Sequence, residues 1–129
     1  MNRQVKAYYD MAYEYHIAAV TLWYWIMEAP YLYNPISFLL RHTIELQLKA
    51  LIILELSKSN EKLIIKEIKI PPENRSLDKS HSLLFLWRYY MELCKGKASH
   101  IDRKIKADIE IPLKRIDKKD FASTRYRYP

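Results

Sequence analysis

A single glycine in 129 residues, Gly96, is the feature that most restricts what this chain can fold into. Tight hairpins and the corners of sandwiches and barrels need backbone at positive φ, which glycine adopts at little steric cost. One glycine therefore argues against an all-β sandwich or barrel. Glycine-rich phosphate loops are excluded, because neither a dinucleotide fingerprint nor a Walker-type loop can be written with one Gly. One cysteine, Cys94, likewise excludes an internal disulfide and any cysteine zinc cluster. Half of the residues are apolar and 29% are charged, enough apolar material for one compact core. No repeat or low-complexity tract divides the chain, so residues 1–129 are expected to form one all-α domain.

The N-terminal stretch MNRQVKAYYDMAYEY has no hydrophobic signal core, and the apolar run from Ile17 to Met27 is too short to cross a bilayer. A cytoplasmic protein with no membrane partner is the expectation. The net charge of +7 is unevenly spread. Residues 1–58 hold five Lys/Arg and five Asp/Glu, whereas residues 59–129 hold seventeen and ten. That asymmetry suits either a polyanion meeting one side of the molecule or a solvated lysine-rich surface.

Apolar side chains at Val5, Tyr8, Ala12, Tyr15, Ala19, Leu22 and Ile26 follow steps of three and four, one stripe of a helix running from about Val5 to Glu28. Its end, LWYWIM, is apolar on nearly every face. This predicts burial on a second side, by a third helix or by another copy of the chain, and a homodimer through the first or second helix is the expectation. Asn34-Pro35 reads as N-cap and first position of a second helix ending near Lys58. Leu39, Thr43, Leu46, Ala50 and Ile53 form its apolar line. Arg41, His42, Glu45 and Lys49 gather within about 100° on the remaining side. Residues 59–72 fit either a strand, by the alternation around Ile68 and Ile70, or further helical turns; PPENRSLDKS reads as loop. A third helix, HSLLFLWRYYMELCK, is expected to be capped by Asp78 or Ser80 and to end near Gly96. Ser99 and Asp102 then suggest a cap for a fourth, basic helix that Pro112 should kink or end.

RHTIELQLKALI, SHSLLFLW and STRYRYP occur in that order, and together they resemble the HEPN family (higher eukaryotes and prokaryotes nucleotide-binding). The family's Glu-x-x-Leu-Lys-Ala-Leu helix would be Glu45, Leu48, Lys49, Ala50 and Leu51. Its His-x-Leu-x-x-Leu helix start would be His81, Leu83 and Leu86, and its Arg-Tyr-Pro turn Arg127, Tyr128 and Pro129. The resemblance covers about residues 5–129. It implies an antiparallel four- to five-helix HEPN-like bundle, commonly a homodimer. Relatives usually continue past Arg-Tyr-Pro into a further helix, and this sequence ends at that turn. Many relatives are metal-independent endoribonucleases of toxin–antitoxin or phage-defence systems, held by an antitoxin or a defence-complex protein. Others are non-catalytic modules that bind a nucleotide or assemble a larger complex.

The ribonuclease members carry an Arg, four to six residues, then a His. Cleavage by attack of the RNA's own 2′-OH needs a base for that proton and a cation for the phosphorane. His and Arg supply both without metal or cofactor. Arg75 and His81 have that spacing here, although in the family the motif tends to sit at the final helix rather than before the third. His81 also fits a purely structural role at a helix start. Arg41, His42, Lys49 and Arg125 are the candidate ligands for RNA or nucleotide phosphate. For Arg41, Glu45 and Lys49 the other reading is a solvated stripe or an internal salt-bridge ladder. Arg127, with Tyr128 beside it, is expected to clamp the chain end onto Glu45. His16 and His100 have no second ligand at metal spacing, so no metal site is expected.

Overall fold

The computed structural model describes residues 3–59, 62–95 and 103–120, with side chains of the last stretch over 106–118. The three-four stripe of the first segment folds as helix α1 (Arg3–Trp23), and its burial follows the stripe. Val5, Ala12 and Ala19 are buried, Tyr8, Tyr15, Leu22 and Ile26 are half-buried, and the positions between them are exposed except Tyr9, which is half-buried against the core. The helix stops five residues before the expected Glu28. Pro30 cannot continue it, and the backbone tightens beforehand into i→i+3 bonds, from Trp25 N–H to Leu22 O (3.0 Å) and from Ile26 N–H to Trp23 O (3.1 Å).

A 3₁₀ turn at Pro30–Leu32 leads directly into α2 (Tyr33–Ser57). Asn34 is therefore not the cap; Leu32 holds that position with no side-chain bond, and the Tyr33 N–H is taken by the Pro30 carbonyl. Pro35 falls in the first turn, where its missing N–H has no intrahelical acceptor to lose. Tyr15 meets the His42 ring edge-on, with centroids 4.6 Å apart. Seven residues earlier on α1, Tyr8 comes under the charge of Glu45, three residues later on α2. The two helices thus run antiparallel.

The chain from 62 to 80 is neither helix nor plain loop. After a 3₁₀ turn at Ile65–Glu67, β1 (Lys69–Ile70) pairs antiparallel with β2 (Arg75–Ser76), Lys69 opposite Ser76 and Ile70 opposite Arg75. The fold is mostly helical, as expected, with this small hairpin added to the helices. The hairpin turn contains a cis Pro71-Pro72 peptide and Asn74 at φ 57°, the left-handed region that Asn tolerates better than most residues. Ile70 and Leu77 pin the hairpin into the core with Ile52, Ile53, Leu83 and Leu86.

Helix α3 (Leu83–Leu93) is capped by Ser82, whose hydroxyl accepts from Phe85 N–H at 3.2 Å, rather than by Asp78 or Ser80. Helix α4 (Arg103–Asp120) runs through Pro112 instead of ending there. Pro112 lies on the exposed side, so the carbonyl it leaves without a donor is on the solvent side, while Leu113 and Ile116 anchor the next turn. Arg88 reaches Glu110 (3.4 Å) and Ser82 reaches Asp117 (2.6 Å), so α3 and α4 are antiparallel. Ser99 and Asp102, the expected α4 cap, lie outside the described residues, as do Arg125, Arg127 and Tyr128.

Candidate functional site

The i,i+4 spacing of Arg41, Glu45 and Lys49 stacks them along one face of α2. That face does not meet solvent. The three residues are 3%, 1% and 2% exposed, inside the contact between α2 and the segment leading into α3. Glu45 is the hub: its Oε1 accepts from Arg41 Nη1 at 2.9 Å, and its Oε2 from Lys49 Nζ at 3.0 Å. Arg41 also donates through Nη2 to the His81 carbonyl and to Asp117 Oδ1 (3.4 Å), and Lys49 donates to the Asp78 carbonyl (3.2 Å). Burial alone would push the Glu45 carboxyl up. The His81 hydrogen bond and the Lys49 charge outweigh it and hold the group at about 2. From the α1 side, burial together with the charges of Asp78 and Glu45 pushes the Tyr8 phenol up.

This geometry corrects the reading of Arg41 and Lys49 as phosphate ligands. They form the internal ladder, with their donors directed to acceptors from three other parts of the chain. His42 is set apart from them. It lies between the Tyr15 edge and a stacked Phe38 ring (5.6 Å, 11°), with Nδ1 4.0 Å from Glu45 Oε2.

His81 joins the ladder to the surface. Its Nδ1 lies 3.2 and 3.3 Å from the two Glu45 oxygens, while its side chain stays 21% exposed. With Nδ1–H donated to that carboxylate, a neutral imidazole carries its lone pair on Nε2, the nitrogen that could take a proton. One residue on, the α3 N-terminus is occupied by a carboxylate from α4. Asp117 accepts from Leu83 N–H (2.9 Å), Leu84 N–H (3.0 Å) and the Ser82 hydroxyl (2.6 Å). A carboxylate at that position satisfies two of the helix's unpaired amides and complements its dipole.

Arg75 and His81 open onto one recess, together with Ile70, Glu73, Ser80, Ser82 and Phe85. The recess has a volume of about 30 Å³, room for a water or two. It adjoins a wider groove of about 470 Å³, which shares Glu73, Arg75, Ser82 and Phe85 with it and adds Leu84, Asp117 and Lys118. Arg75 pairs with Glu73 at 2.9 Å, with both side chains about half exposed. Such a pair is worth only about 0–1 kcal/mol, so an incoming phosphate can take over the guanidinium. The sequence pair Arg75/His81 is thus brought to one cavity, beside Glu45, whose expected partner Arg127 lies outside the described residues.

Sequence reasoning missed Asp117, Lys118 and Phe85. A signal for Asp117 was there: it stands four residues after Leu113 and next to Ile116, at the edge of the inward stripe of α4. Among the described residues no group of His, Cys, Asp and Glu could hold a metal ion, and no helix is long and apolar enough to cross a membrane. A mostly helical protein with a buried ionic ladder under a partly basic groove is the class these features define. The chain matches no family model, no curated protein and no solved structure.

Proposed function

We propose that the chain is a HEPN-like protein of a toxin–antitoxin or phage-defence system that cleaves RNA without metal, with Arg75 and His81 as the reacting pair. The observation that carries this reading is their shared recess, above a His81 whose ring is set by the buried Glu45 carboxylate. His81 Nε2 takes the proton of a ribose 2′-OH, and that oxygen attacks the adjacent phosphorus. The P–O5′ bond breaks, leaving a 2′,3′-cyclic phosphate, and the proton goes to the departing 5′-oxygen. Arg75 exchanges Glu73 for the phosphorane oxygens. Glu45 acts through His81 by holding its tautomer and orientation.

The proposed working form is a homodimer, neutralised by an antitoxin or recruited by a defence-complex protein. Support for the dimer comes from the outer face of α1 and the turn after it. Tyr13, Ile17, Val20, Trp23, Trp25 and Met27 are all exposed there, the kind of apolar side chains that a protein contact covers. A second reading, a non-catalytic HEPN module that binds a nucleotide, draws on the 470 Å³ groove, which falls in the ~300–1,000 Å³ range of small-molecule sites.

RNA cleavage in EDTA, wild type against His81→Ala, tests the reading. Loss of a positioned base lowers the rate by about 100-fold or more. Equal cleavage by the variant removes His81 from the chemistry, and no cleavage by wild type favours the nucleotide-binding module.

A further inference from the structure

We infer that the wide groove beside the recess is a subsite for an unpaired RNA nucleotide next to the bond that is cut, with its base over Phe85 and Leu84 and its phosphate on Lys118. This rests on the ribonuclease reading above. The groove combines an apolar floor with a charged rim, the two chemistries a nucleotide presents. Phe85 is half-buried in α3 and lines both the recess and the groove, so a ring stacked on it lies one step from His81.

The charge balance at the rim favours an anion. Asp117 is committed to the Ser82 hydroxyl, two α3 amides and Arg41, and Glu73 is matched by Arg75 while the RNA binds, before Arg75 turns to the phosphorane. Lys118 then leaves a positive edge on α4, continued one turn earlier by exposed Lys114 and Arg115. Those cations lead along α4 toward the groove, as a track for a sugar–phosphate backbone does. The floor requires an unpaired base, because a base in a duplex has both faces covered by its neighbours.

The test is fluorescence anisotropy of a labelled, unstructured oligoribonucleotide on full-length His81→Ala protein, alone and combined with Phe85→Leu or Lys118→Glu. Each added substitution should weaken binding about tenfold, and Lys118→Glu should also reduce the log–log salt slope by about 0.7. Lys118 is at the surface, so its variant reports even where Phe85→Leu lowers the melting temperature. Unchanged affinity in Lys118→Glu, equal binding of the same RNA as a duplex, or equal competition by a free mononucleotide overturns the subsite. Should His81→Ala cleave normally while Phe85→Leu and Lys118→Glu weaken binding, the subsite stands and the assignment of the chemistry to His81 falls.

Discussion

The two longest helices invert the usual rule in opposite ways. Helix α1 exposes large apolar side chains, Tyr13 at 67% and Trp23 at 56%, while α2 buries an arginine, a glutamate and a lysine almost completely. The difference lies in their surroundings rather than in their own periodicity. Helix α1 packs along its buried stripe against α2, with Tyr8 and Tyr9 reaching the core, while Tyr13, Ile17, Val20 and Trp23 on its outer side stay exposed. Helix α2 has α1 on one side and, on the other, the carbonyls of Asp78 and His81, the His81 ring and Asp117. Charges go inside where opposite charges and carbonyls are already placed to receive them, because each cation then keeps hydrogen bonds in place of water. Apolar side chains stay outside where nothing packs on them, and that is the face proposed above for the dimer contact.

The strongest way to break the contrast is to empty the hub. Glu45→Ala leaves Arg41 and Lys49 buried without their carboxylate, and denaturant unfolding should show a loss of about 3–5 kcal/mol. A change below 1 kcal/mol would mean that water reaches the ladder and that α2 is not inverted after all.

Acid should act on the same group by a gentler route. The Glu45 carboxyl titrates at about 2 in the fold against an ordinary value of 4.5, so it stabilises the fold fully above 4.5. That contribution fades as pH falls from about 5 to 2. The gap corresponds to about 3 kcal/mol, readable as a fall in denaturation midpoint over that window and absent in Glu45→Gln. A flat profile across the window would place the titration outside the ladder.

The smallest effect on stability should come from the apolar exterior. Replacing Trp23 and Trp25 by Ser should change the unfolding free energy by only about ±0.5 kcal/mol, since neither is buried in the protomer. The same variant should lower the mass seen by light scattering from dimer to monomer. An unchanged dimer would move the interface off α1, and a large loss of stability would show that these rings already have partners within the chain.

Much of the helical framework was legible in the residues. Six of the seven stripe residues, Val5 to Leu22, lie on α1 and are buried or half-buried, because the three-four step is a direct consequence of 3.6 residues per turn. The ends were less legible. Asn34 and Pro35 carry a real start signal, yet the 3₁₀ turn before them offered a backbone carbonyl and started α2 earlier. Ser82 outcompeted Asp78 and Ser80 as the α3 cap because Ser80 turns back on the Arg75 and Ser76 carbonyls and Asp78 on the Ser76 hydroxyl. Of the site, the Arg75/His81 spacing and the i,i+4 pairing of Glu45 with Arg41 and Lys49 could be seen in the sequence, but not the approach of His81 to Glu45.

The sequence by itself determined that this protein is mostly helical, that α1 has one packing stripe, and that Arg41, Glu45 and Lys49 stand in a row. Those follow from local rules acting over a few residues: backbone freedom, periodicity and i,i+4 proximity. Only the tertiary structure decided that the row is buried, that His81 is held by Glu45 with its side chain still partly exposed, and that Asp117 occupies the α3 N-terminus. Each of these depends on a group brought in from 29 to 76 residues away, and the cost of burying a charge depends on whether those groups arrive.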